Sequence, residues 1–245
     1  MAVVERLGVD VVVAGDQVFR FRAAVGLQEV GKALAILDQD EEGILAFRGA
    51  LAVTPIQSEE AVIWDIGGGS MQLTTLTDEG TYLVEKGKLA SIPFKNAIIE
   101  MIKRQNIQSV SSPNPLSADE MQAALRLAED AALATDPYVK RKIVNPTTQI
   151  LGVGSLFNYA IKPLAGQPKV SLEALEKSIQ PLIGKTDQEL PGGALAEVAV
   201  SNPLLVLGYM KALQIPQITI LSVNNADGAL TYPPYWELPV QAKRQ

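Results

Sequence analysis

Short apolar runs alternate with amphipathic stretches along the chain, and that alternation predicts α/β structure. Val9 to Ala14 reads as a buried strand and Ala35-Ile36-Leu37 as a second. Asp38 then opens a helix to about Ala52; Glu41 stands three residues after Asp38, the spacing of a capping box. Ala61 to Trp64 is apolar and runs into Asp65 and Ile66. Gly67-Gly68-Gly69-Ser70 follows, and Leu73-Thr74-Thr75-Leu76 resumes a strand pattern: strand, tight turn, strand. Gln72 to Leu76 and Thr81 to Glu85 read as paired strands around Thr77-Asp78-Glu79-Gly80. Pro93 to Gln105 reads as helix and Asn106 to Leu116, with two prolines, as loop. Ser117-Ala118-Asp119-Glu120 is a second capping box, opening a helix to about Ala134 whose charges form a solvated face. A strand from Gln149 runs into Gly152-Val153-Gly154-Ser155, and a helix continues from Leu156 to Leu164. Ser171 to Ile183 is a further helix and Pro191-Gly192-Gly193 a turn. Ala194 to Leu213 is an apolar helix interrupted near Ser201-Asn202-Pro203. Ile218 to Ser222 is the last strand, followed by Asp227-Gly228-Ala229-Leu230.

Composition narrows the chemistry. The 245 residues suit one large domain or two small ones, and 47% hydrophobic against 20% charged residues allows a sizeable core. A net charge of −6 argues against non-specific nucleic-acid binding. With no cysteine there is no disulfide, thiolate nucleophile or Cys-ligated metal. With no histidine there is no Ser-His-Asp triad, His-ligated zinc or His base. Hydrolysis would have to run on carboxylates, a hard metal and backbone N–H groups. No apolar run is expected to reach the length of a membrane span, and the N-terminus lacks the charged-then-apolar signal pattern, so the cytoplasm is the default and no membrane partner is expected.

The turn after Asp65 is the strongest chemical signal. Glycines open backbone angles closed to other residues and leave N–H groups bare for an anion. Asp65, at the strand end beside them, suits magnesium, which takes one or two carboxylates, phosphate oxygens and water. The plain alternative is a hairpin whose glycines only satisfy the turn. The stretch Gly152-Val153-Gly154-Ser155 is a weaker candidate, because backbone N–H groups at a helix start also suit phosphate.

Asp65-Ile66-Gly67-Gly68-Gly69-Ser70 resembles the Asp-x-Gly-Gly-Gly-Ser motif of the exopolyphosphatase and guanosine pentaphosphate phosphohydrolase (Ppx/GppA) family. Asp40-Glu41-Glu42-Gly43-Ile44-Leu45-Ala46-Phe47-Arg48-Gly49 resembles that family's Gly-x-Glu-Glu-Ala-Arg-Leu-x-x-x-Gly segment, and Gly152 to Ser155 its second phosphate loop. The resemblance implies an actin-like (ribonuclease H-like) α/β fold: a partial first domain over 1–53 and a near-complete second domain over 54–245. It implies Glu42 as the base or water-positioning residue, with Glu41 as a cap. Gly67, Gly68, Gly69, Ser70, Gly152, Gly154 and Ser155 would bind phosphate, Asp65 and Gln72 would lie at a magnesium ion, and polyphosphate or guanosine pentaphosphate would be the substrate. Departures accompany it. Gly43-Ile44 replaces Ala-Arg, Gln72 replaces a Glu, Thr231-Tyr232 replaces Arg-Glu, and Arg20 is one residue out of register with a family arginine. An Asp-x-Gly-Ser-Asn loop expected ahead of Val9 does not occur, so the first domain is expected to be truncated.

Three functions stay open on the sequence: a metal-dependent phosphoanhydride hydrolase, a degenerate relative that binds phosphate or a partner without turnover, and an actin-like nucleotide-dependent kinase or chaperone. A homodimer is compatible with each.

Overall fold

A computed structural model of the chain describes residues 37–235. The strand expected over Val9 to Ala14 and the position of Arg20 lie outside the described residues. Of Ala35-Ile36-Leu37 only Leu37 is described; it is buried beside Leu45 and Ala229, outside any strand.

The first helix, α1 (Gln39–Ala52), starts at the capping box. The Asp38 side chain accepts from the Glu41 N–H, and the Glu41 side chain accepts from the Asp38 N–H. Strands β1 (Ala61–Ile66), β2 (Met71–Leu76) and β3 (Tyr82–Lys86) form an antiparallel meander. Helix α2 (Ser91–Ala97) starts two residues earlier than expected and passes into a π turn, Ile98–Ile102. Helix α3 (Ala118–Ala132) begins at its expected box, and α4 (Pro137–Ile143) follows a cap by Asp136. Strand β4 (Gln149–Val153) leads into α5 (Gly154–Leu156), a π turn Phe157–Ile161 and α6 (Lys162–Ala165). A three-residue strand, β5 (Lys169–Ser171), precedes α7 (Leu172–Ile179). The apolar segment forms a 3-10 stretch, Gly193–Val198, and then α8 (Ser201–Ala212), so the break precedes Ser201 and Pro203 sits in the helix's first turn. Strand β6 (Gln217–Ile220) and α9 (Asn225–Ala229) follow, and a 3-10 turn, Pro233–Tyr235, comes last among the described residues.

All six strands make one mixed sheet of order β3-β2-β1-β4-β6-β5. Strands β1, β4 and β6 are parallel, and β5 is an antiparallel edge. Because successive strand residues face opposite sides, β1 feeds two layers. Val62, Trp64 and Ile66 join Met71 and Leu73 in a large core with α2, α3, α7 and α8. Ala61 and Ile63 join Ala46, Phe47 and Ala50 of α1, with Leu151 and Val153 of β4, in a smaller core on the other face. Asp65 shares that second face.

Residues 193–212 correct one expectation. Among the described residues this stretch is long and apolar enough to cross a membrane, with a mean hydropathy of 1.3. Yet 72% of it is buried inside the fold, as expected of a core helix, and α8 buries ten consecutive residues from Ser201 to Met210.

Candidate active site

Two carboxylates converge at the carboxyl end of β1. Asp65, 8% exposed, comes from the strand; Glu42, 4% exposed, comes from the first turn of α1. The β1–β2 register sets Asp65 opposite Gln72. Directly opposed residues project to the same face, and Gln72 reaches Glu42, its Nε2 donating to Oε2 at 3.1 Å. Ser70 Oγ donates to the same oxygen, also at 3.1 Å. Burial, then the neighbouring Glu42 charge, push the Asp65 carboxyl up from an ordinary 3.8 to about 7, against the pull of a hydrogen bond with the Asn225 side chain.

Tight glycine contacts bring these elements together. A Cβ on Gly228 of α9 would lie 1.8 Å from the Leu45 carbonyl oxygen, so α9 crosses α1 in backbone contact. That crossing explains the glycine of Asp227-Gly228-Ala229-Leu230 and delivers Asn225 to Asp65. Asp227 itself accepts from the Asn224 N–H at 2.8 Å as part of a capping box. Gly43 lets α1 settle onto the meander, since a Cβ there would meet Thr74 Oγ1 and Val84 Cγ1, both at 2.6 Å.

The two glycine segments play different parts. Gly67 donates its N–H to the Ser70 carbonyl at 2.9 Å, closing the turn. The Gly67 and Gly68 carbonyls accept from the N–H groups of Ser91 and Ile92, at 3.3 and 2.9 Å, which ties the turn to the start of α2. Ser91 in turn donates its hydroxyl to Asn202 of α8 at 2.7 Å. None of Gly67, Gly68 and Gly69 has a positive φ, so the expected angular reason for these glycines is corrected. Their effect is openness: Gly68 and Gly69 are exposed, and a Cβ on either would meet nothing within 4 Å.

Gly152 lies inside β4 rather than in a loop, opposite Trp64 in the register. A Cβ there would meet the Phe157 ring at 2.8 Å, and that ring packs edge-on against Trp64 with centroids 5.3 Å apart. Gly152 thus serves packing on the far face of the sheet. Gly154 does reach the Asp65 carboxylate: its φ is +88°, and a Cβ would lie 2.2 Å from Asp65 Oδ1. Ser155 is exposed one residue on. Asn158 fixes this segment by donating to the Gly154 and Leu221 carbonyls, each at 3.1 Å.

The structure therefore gathers Glu42, Asp65, Ser70, Gln72 and Gly154, with Gly67 to Gly69 beside them. Asn158 and Asn225 join them without having been singled out from the sequence. Neither sits in a motif, but Asn225 lies two residues before Asp227, where a search around the Asp-Gly-Ala-Leu segment would have met it.

The fold, as distinct from the site residues, occurs in known structures. The chain superimposes on a Ppx/GppA protein of Aquifex aeolicus with a TM-score of 0.63 over 85% of this chain and 68% of that one, at 15% identity. The fold is that of the Ppx/GppA phosphatases. An exopolyphosphatase from Cytophaga hutchinsonii matches with a TM-score of 0.60 at 17% identity, covering 83% of this chain and 66% of that one. Another Aquifex aeolicus Ppx/GppA enzyme structure matches at 0.62 and 14% identity, and the chain spans 66% of its length. No protein-family model and no curated protein sequence matches the chain. The Ppx/GppA match bears out the α/β architecture of actin-like type expected from the sequence.

Proposed function

We propose that the chain is a phosphoanhydride hydrolase of the exopolyphosphatase or guanosine pentaphosphatase type. The observation that carries the reading is the convergence of Glu42 and Asp65, two buried carboxylates, beside the open Gly67–Ser70 turn. In this reading Glu42 takes the proton of the attacking water, and Ser70 and Gln72 fix its carboxylate by hydrogen bonds. The phosphate chain lies along the bare backbone of Gly68 and Gly69 and against Gly154 and Ser155. The carboxyl ends of the parallel strands β1 and β4, where ligands of open α/β sheets settle, meet at this spot.

The donor set fits magnesium. Asp65 and Glu42 place two acidic groups together, and the pKa of Asp65, raised by burial first and by the Glu42 charge second, is one that a bound cation would lower. Gln72 offers an amide oxygen beside them. Asp65, with Glu42 and Gln72 near it, would hold the ion, which when bound supplies charge neutralisation for the phosphoryl oxygens. The test is magnesium-dependent orthophosphate release from polyphosphate and from guanosine pentaphosphate, with Glu42→Gln alongside. Release that persists unchanged in a folded Glu42→Gln protein would remove Glu42 from its role.

One observation favours a second reading. No group of three or more acidic side chains able to hold a metal occurs among the described residues, and the third position beside Asp65 and Glu42 is an amide, Gln72. A protein that binds phosphate without turnover fits that arrangement, and triphosphate binding without release would select it.

A further inference from the structure

Lys86 stands on the same cross-strand row as the candidate site. The register pairs Asp65 with Gln72, and Gln72 with Lys86. Three side chains on adjacent strands therefore project to the face that α1 covers. Gln72 reaches Glu42 in the first turn of α1. Lys86 reaches the same turn two residues earlier, its Nζ 2.7 Å from Asp40 Oδ2. A lysine side chain is longer than a glutamine's, and its neighbour already touches Glu42. Lys86 and Gln72 therefore meet neighbouring positions of one helical turn. Both side chains are about half exposed, 47% for Lys86 and 53% for Asp40, so solvent screens the pair and it breaks at little cost.

We propose that Lys86 is an anion-binding residue of this site, held in reserve by Asp40. When a polyphosphate chain docks along Gly67 to Ser70, the ammonium exchanges the Asp40 carboxylate for a phosphoryl oxygen. The proposal rests on the phosphate-site reading and adds a switchable cation to it. Asp40 competes with the ligand for one ammonium, so the two partners affect binding in opposite directions. An ordinary surface ion pair gives no such opposition.

The experiment is calorimetric titration of tripolyphosphate, with and without magnesium, into wild type, Lys86→Met, Asp40→Asn, the double variant and Lys86→Arg. Folding of each is checked by circular dichroism and melting. Lys86→Met should weaken binding about tenfold, and Lys86→Arg should recover most of it. Asp40→Asn should tighten binding about threefold, and this gain should vanish in the Lys86→Met background. Unchanged affinity in Lys86→Met overturns the proposal and leaves the phosphate-site reading standing. So does a gain from Asp40→Asn that persists in full without Lys86, because that gain would come from general charge removal. No tripolyphosphate binding by wild type in either buffer overturns the phosphate-site reading, and this proposal with it.

Discussion

Gly154 presses its backbone against Asp65, so that a single added methyl group would sit 2.2 Å from the Asp65 Oδ1 atom. Gly154→Ala should therefore displace the Asp65 carboxylate and also strain a backbone held at φ +88°. The expected outcome is a folded protein that is less stable by about 1–3 kcal/mol, with weakened triphosphate binding. Calorimetry on the variant checks it. Wild-type affinity in Gly154→Ala would mean that ligand binding does not depend on where Asp65 is held.

Asp65 makes stability depend on pH in a definite direction. Its carboxyl is pushed up to about 7 in the folded protein against 3.8 ordinarily, so the fold favours the neutral form. Below 3.8 both folded and unfolded chains hold the proton, and that stability is fully present. As pH rises toward about 7 the unfolded chain ionises first, and stability falls by about 1.4 kcal/mol per pH unit in magnesium-free buffer. Above that value the loss is complete. Asp65→Asn removes the dependence, so the variant's stability relative to wild type should grow between these limits and then level off. A constant difference across the range would show that Asp65 is not the titrating group. Added magnesium should raise the wild-type melting temperature near neutral pH and leave Asp65→Asn unmoved.

The crossing of α1 and α9 tolerates no side chain at Gly228. Gly228→Ala sets a methyl 1.8 Å from the Leu45 carbonyl oxygen, backbone against backbone, so the helices must part. The loss should reach at least about 2–3 kcal/mol in urea unfolding. A loss under about 0.5 kcal/mol would show that α9 shifts freely.

Gln72→Glu tests whether the missing third carboxylate limits the site. The new acid would face Glu42 and Asp65 inside the fold, so the ion-free protein should melt lower. Magnesium should bind about tenfold more tightly and reverse that loss. Any orthophosphate release from polyphosphate should rise with it. A folded variant with unchanged magnesium affinity and no gain in rate would refute the idea.

Gly68→Val should weaken triphosphate binding by covering the open turn, not by forcing a backbone angle, because Gly68 has no positive φ. The fold should barely notice, since a Cβ there meets nothing. Melting temperature and triphosphate affinity, measured together, separate the two effects.

What the chain discloses before folding follows from how local each signal is. The capping boxes of Asp38 with Glu41 and of Ser117 with Glu120 are complete within four residues and place α1 and α3 correctly. The Asp65 turn is equally local, and β1 and β2 flank it as read. β5 is three residues long and gains its identity only from pairing with β6, so no period marks it. Helix α4 went unread although Asp136-Pro137, an N-cap acid before a first-turn proline, signals it. The partners of Asp65 are the least legible, because Asn225 arrives through a backbone crossing at Gly228 and Leu45 that no pattern along the chain records. Gly152 misleads for a related reason: its missing side chain makes room for Phe157 against Trp64, on the face opposite the carboxylates.

Asp40, Glu41 and Glu42 are three consecutive acids with three separate duties: pairing with Lys86, closing the cap with Asp38, and facing Asp65. Successive residues of a helix are turned by about 100°, so each duty belongs to one angular position. Losing a single codon in this turn would leave the composition almost unchanged while rotating every later residue of α1 past its partner. Gly43 would leave Thr74, and Gly49 would leave the close pass beside Gly228. The start of α1 should accordingly accept substitutions far more readily than insertions or deletions. A library of single-residue indels across 38–49, scored for folding, would show the difference as a gap with sharp edges.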